Sequence, residues 1–194
     1  RSLELGRSGQ LFAQSEGESE DDATLQRQLA VPTDRRLFAT FRALQRGWTV
    51  EQVHDITKID RWFLSQFLEI IQIEQAAGLV GLREMSVDLL TTLKRSGFSD
   101  ADIAVITGTD TASVFDRRKD AGLRPVYKRI DTCAAEFESF TPYQYGTYEK
   151  ECEANPTDRP KVVILGSGPN RIGQGLEFDY CCCHAAFALQ EQGF

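Results

Sequence analysis

Positive charge is scarce in this chain: its 194 residues carry 22 lysines and arginines against 29 aspartates and glutamates, a net charge of −7. A surface that holds a phosphate backbone needs clustered cations, so this balance argues against nucleic-acid binding. No apolar run approaches the roughly 18 residues of a membrane-spanning helix. The opening "RSLELGRSGQ" has no apolar signal core, which argues against secretion. Nor does the chain begin with methionine, which fits a segment cut from something longer. Cysteines number five: Cys133, Cys152 and the run Cys181, Cys182, Cys183. An odd, clustered set does not make a disulfide framework. Consecutive helical residues point about 100° apart, so the run cannot converge on one metal. The expectation is reduced, mostly buried thiols in a cytoplasmic protein.

What is present suffices for a core. Hydrophobic residues make up 41% and charged residues 26%, which excludes wholesale disorder. Residues 1–30 read as a linker, because "SEGESEDD" (15–22) holds five carboxylates and no apolar residue. From Thr33 the pattern turns helical. Thr33 is the expected cap of "DRRLFATFRALQR", whose Leu37, Phe38, Phe41 and Leu44 form an amphipathic stripe that Gly47 ends. Thr49 caps "VEQVHDIT" with Gln52 at the capping-box position, and Asp60 caps "RWFLSQFLEIIQIEQAA". Ser86, Ser99 and Thr111 open three more helices, with Gly97 and Gly122 as stops.

The helical part repeats itself at a spacing of 50 residues. "RGWTVEQVHDITKID" (46–60) aligns with "SGFSDADIAVITGTD" (96–110). Gly47 and Gly97 supply the left-handed turn after a helix. Trp48 and Phe98 can pack back over it. Thr49 and Ser99 cap the next helix, Val53 with Ile56 and Ile103 with Ile106 form its buried face, and Asp60 and Asp110 cap a third. Two packed copies of one helix-turn-helix unit are expected.

After Gly122 the long period is lost. A short strand is expected at 126–130, then loops, a boundary at "EANPTDRP", and a strand at "KVVILG" that begins a final unit. The loop "GSGPNRIGQG" that follows fits neither common phosphate motif. A dinucleotide fingerprint would need Gly where Arg171 stands. A P-loop would need Lys and a hydroxyl where Gln174 and Gly175 stand. By itself the loop is a tight strand-to-helix turn.

The longer string "GSGPNRIGQGLEFDYCCCHAAFAL" resembles the start of the second synthetase unit in the large subunit of carbamoyl phosphate synthetases. The resemblance extends over "PVYKRIDTCAAEFE", "YGTYEKECEANP", "ITKIDRWFL" and the opening "RSLELG", nearly the whole chain apart from the acidic stretch. It implies an internal slice of a larger ligase. Residues 1–32 would hold the end of the first synthetase half and an acidic linker, and 33–150 a helical oligomerisation domain. Residues 151–160 would be a second linker and 161–194 the first β-loop-α unit of an α/β pre-ATP-grasp domain. The family makes carbamoyl phosphate from bicarbonate, ammonia and two ATP, for arginine and pyrimidine synthesis. Ammonia is used directly or comes from glutamine through a glutaminase small subunit or fused domain. The resemblance further implies ATP, magnesium or manganese, and potassium, all bound outside this slice, and a homo-oligomer formed through the helical domain. In family members the glycine loop faces the active site and an internal passage. That carries over to Gly168, Asn170, Arg171, Gly173, Gly175 and Glu177 as residues facing substrate or passage, with no proton-transfer role. The slice alone is expected to be inactive.

Two other classes compete. "GWTVEQVHDITKIDRWFLSQ" has the cadence of a DNA-binding helix-turn-helix, but its second helix is rich in Trp62, Phe63, Leu64, Phe67 and Leu68, with Arg61 its only base. A NAD-linked oxidoreductase is disfavoured by Arg171. His54 reads as a surface histidine, and His184 as a packed one in a buried helix.

Overall fold

The computed structural model describes residues 21–140, 143–165 and 177–194. They fall into two compact units, one extending to Glu153 and the other running from Ala154 to Phe194.

The first unit opens with a helix where a linker is expected. Helix α1 (Asp22–Ala30) starts because the Asp21 carboxylate accepts the Thr24 N–H at 2.8 Å. Leu25 and Leu29, one turn apart, are fully buried. Two large apolar residues at i and i+4 are enough to clamp a short helix onto a neighbour, although the acidic residues before them mask the signal. Helix α2 (Arg36–Gln45) begins three residues past Thr33, which is not its cap. Thr33 accepts the Arg36 N–H through its backbone carbonyl, and Arg35 precedes the helix with no side-chain cap.

The repeat is carried out cap for cap. Helix α2 ends at Gly47 (φ +89°), where the Trp48 N–H reaches back to the Ala43 carbonyl at 3.0 Å. Its counterpart α5 (Val87–Arg95) ends at Gly97 (φ +96°), with the Phe98 N–H on the Leu93 carbonyl at 3.1 Å. This six-to-one bond needs a left-handed residue before it, and a glycine takes that position without a Cβ penalty. Helices α3 (Val50–Thr57) and α6 (Asp100–Thr107) both start in capping boxes, Thr49 with Gln52 and Ser99 with Asp102. Both end in a left-handed residue, Lys58 and Gly108. The Asp60 side chain then caps α4 (Arg61–Glu84) at Trp62 N, and Asp110 caps α7 (Thr111–Asp120) at Ser113 N. Thr111, expected to open α7, is its first helical residue.

Helices of 8–10 residues do not persist alone in water, so packing must hold them. Two apolar clusters do so. Leu25, Leu29, Phe41, Leu44, Val53, Leu64 and Ile71 lie in the first. Met85, Leu90, Leu93, Phe98, Ile103 and Val114 lie in the second. Each such side chain contributes about 1.5–3 kcal/mol on burial. Helix α4 threads both, with Leu64 and Ile71 in one and Ala77 and Leu82 in the other, and it bends at Gly81 (φ 72°).

Beyond α7, β1 (Val126–Arg129) pairs antiparallel with β2 (Gln144–Thr147), Val126 opposite Thr147 and Arg129 opposite Gln144. The expected strand at 126–130 is thus present, one residue shorter. In the second unit, residues 161–165, where a strand is expected, form no ladder. A buried parallel strand needs hydrogen-bonded neighbours on its edges. None is present among the described residues, and Val163 and Leu165 are exposed by 80% and 90%. Helix α8 (Glu177–Glu191) follows.

Candidate functional site

Five of the six loop residues singled out from the sequence, Gly168, Asn170, Arg171, Gly173 and Gly175, lie outside the described residues. Glu177 begins α8, and its side chain lies outside them too. What the structure does describe is the frame of this loop. The lead-in residues Pro160, Val162 and Ile164 face Ala186, Leu189 and Phe194 of the α8 end across a cavity of about 350 Å³. The α8 surface is open, which corrects the expectation of buried thiols and a buried His184. Cys181 and Cys183 are exposed and Cys182 is half-buried; away from the helix Cys152 is exposed and Cys133 half-buried; no disulfide joins any of the five. His184 is held between rings instead, 4.1 Å from Tyr180 and 6.0 Å from Phe187. The physical reason is that no other described element of the second unit packs across this apolar face.

In the first unit the polar chemistry concentrates on the second repeat. Asp100, at the start of α6, pairs with Lys94 of α5 at 2.8 Å and with Arg118 of α7 at 2.9 Å. Lys94 Nζ also donates to the Phe98 carbonyl at 2.7 Å, and Arg118 to the Leu123 carbonyl at 3.1 Å. Lys94 and Arg118 are both buried, which is rare for cations without such partners. Burial pushes the Asp100 carboxyl up, but hydrogen bonds from Arg118 and Lys94 outweigh it and hold the group below its ordinary value. The Tyr148 ring stands over this triad, and burial raises its phenol above the usual range. Beside it a groove of about 790 Å³ runs along the α5–α6 turn.

The sequence reading missed this triad, though its signal was present. At the 50-residue spacing, Lys94, Asp100 and Arg118 stand opposite Leu44, Val50 and Leu68. Charge replaces apolar residue at three positions of one copy.

His54 is half-buried and structural. Its Nδ1 lies 2.7 Å from the Ile59 carbonyl and its Nε2 2.9 Å from Arg61. Arg61 is itself paired with Glu51 at 2.8 Å. A DNA-reading helix would present free cations here. Instead Arg61 is paired with a carboxylate, and the apolar Trp62 and Phe63 beside it are exposed. No helix among the described residues is long and apolar enough to cross a membrane.

A double helical repeat built from caps and two apolar clusters, with a separate unit carrying α8 after it, defines a helical repeat module. The family described as "Carbamoyl-phosphate synthetase large chain, oligomerisation domain" matches residues 1–122. A second, described as "Carbamoyl phosphate synthase preATP-grasp domain", matches residues 158–194. The chain belongs to the carbamoyl-phosphate synthetase large-chain family. It is 55% identical over 175 residues to a carbamoyl phosphate synthase large chain of Deinococcus radiodurans, covering 90% of this chain and 17% of that one. The large chain of Xanthomonas axonopodis pv. citri is 51% identical over 195 residues, covering all of this chain and 18% of the relative. An arginine-specific, chloroplastic large chain of Oryza sativa is 47% identical over 194 residues and is covered by 17%. The chain therefore spans less than a fifth of the curated relatives it matches.

Proposed function

We propose that this chain is an internal part of a carbamoyl phosphate synthetase large chain. The parent is an ATP-dependent ligase that forms carbamoyl phosphate from bicarbonate, ammonia and two ATP. Residues 33–150 act as its helical oligomerisation element, and residues 161–194 open its second pre-ATP-grasp domain, with residues 1–32 and 151–160 as the flanking segments. The observation that carries this reading is the order of the two family matches along one chain, joined by identity to large chains over essentially its full length.

The chain's own role is mechanical. The described residues hold no group of three His, Cys, Asp or Glu side chains placed for a metal ion. We assign ATP, magnesium or manganese, and potassium to parts of the parent outside this chain. When bound there, the nucleotide and metal supply phosphoryl transfer. The loop residues Gly168, Asn170, Arg171, Gly173, Gly175 and Glu177 would line the path that substrate takes past it. Glycines suit that task because they leave backbone N–H groups open and keep space clear. A glutaminase subunit or domain would feed the parent, in the cytoplasm.

The full-length parent, supplied with bicarbonate, ammonia and ATP, is expected to release two ADP for each carbamoyl phosphate. The 194-residue chain alone is expected to release none. Product from the isolated chain, or a parent inert with ammonia, would contradict the reading. In the parent, Gly175→Phe is expected to lower product formation and to uncouple it from ATP use. Wild-type rate and coupling in that variant would remove the loop from the path.

A further inference from the structure

The two helical repeats differ in character at three positions. Leu44 is buried and Val50 and Leu68 are half-buried in the first copy. Lys94, Asp100 and Arg118 occupy the same positions in the second, ion-paired at 2.8 and 2.9 Å. Stability alone does not explain the exchange, because a buried ion cluster commonly does no better than well-packed apolar residues of similar size. What the ionic trio offers, and the apolar trio does not, is a cationic face.

That face is covered by the chain's own later segment. The Tyr148 ring centroid lies 5.2 Å from Lys94 Nζ and 6.0 Å from Arg118 Cζ, within range of cation–π attraction. Arg95, next to Lys94, donates to the Tyr148 carbonyl at 2.9 Å and pairs with Glu149 at 3.3 Å. Tyr148 directly follows β2, whose partner β1 is only four residues long. A two-stranded hairpin of that size is marginal in water unless it docks on something larger. Its other strengthening contacts are local: Glu153 bonds its N–H to the Tyr127 carbonyl and its carboxylate to Lys128.

We propose that the Lys94–Asp100–Arg118 triad, with Arg95, is a docking socket for the segment Thr147–Glu149, so that the hairpin after the second repeat is clamped to the helices and is not a free tether. Among the described residues no hairpin docks on the first repeat, which keeps its apolar trio. This rests on the geometry alone, not on the ligase reading.

The test transplants the first copy's residues into the second, as Lys94→Leu, Asp100→Val and Arg118→Leu together. Helix content by circular dichroism and the thermal midpoint are expected to stay near wild type. Deuterium uptake in peptides spanning 143–153 is expected to quicken by about tenfold or more as the hairpin is released. Unchanged uptake in a folded triple variant overturns the proposal. Should the triple variant not fold, Tyr148→Ala in the wild-type background gives the reading: uptake rises with helix content intact, and Tyr148→Phe, which keeps the ring, behaves as wild type. Wild-type uptake in Tyr148→Ala, or equal effects of Ala and Phe, overturns it.

Discussion

Asp100 shows how one carboxylate can gather three helices. It ends the turn after α5, starts α6 and receives Arg118 from α7, so its charge is satisfied from two sides. Its carboxyl is held below the ordinary 3.8, so the linkage has a definite sign. The stabilisation is complete above the unfolded value and fades as pH falls through the lowered one. Asp100→Asn removes the anion and leaves Lys94 and Arg118 buried without it, at a cost of about 3 kcal/mol near neutrality. Urea midpoints measured from pH 7 to pH 2 should show a constant gap between wild type and variant down to about pH 4, and a shrinking gap below. A gap independent of pH to the acid end would mean that Asp100 is not the group involved. Such a residue is hard to find in a sequence, because charged side chains are read as solvated until something buries them. Only the offset of 50, set beside Leu44, Val50 and Leu68, marks these positions as unusual.

At the scale of elements, capping chemistry was legible and entry geometry was not. Thr49 with Gln52, Ser86, Ser99, and Asp60 all cap helices as their residue types require, since a short polar side chain satisfies an open N–H at each helix start. Thr33 failed because a turn intervenes before α2, and α1 was hidden by the acidic residues that precede its two leucines. The run 161–165 shows another limit: β-forming residues make a strand only where an edge is available to pair with. The glycine loop, where the substrate-facing residues were placed, falls outside the described residues. Helix α4 carries more apolar residues than a single neighbour can cover, and it serves two clusters. Phe67 packs on Phe41 with ring centroids 4.7 Å apart, beside the first cluster. Phe67→Glu is therefore expected to cost about 2–4 kcal/mol and to lower helix content and thermal midpoint. Full helix content in that variant, measured by circular dichroism, would place Phe67 at a surface.

At the scale of the whole molecule, the residues that hold the helical unit together differ from those it presents outwards. Helix α4 is central along most of its length, yet Trp62 and Phe63 at its start are exposed by 63% and 52%, their rings 5.0 Å apart. Large aromatic side chains in water are costly to leave uncovered, and they are favoured anchors where chains meet. The oligomerisation role proposed above for residues 33–150 would place this end of α4 against a second copy. The most direct measurement is the mass of the full-length parent by light scattering, for wild type and for Trp62→Glu combined with Phe63→Glu, with circular dichroism alongside. The double variant is expected to form smaller particles while its helix content stays at the wild-type level. Wild-type mass with intact helices would contradict it.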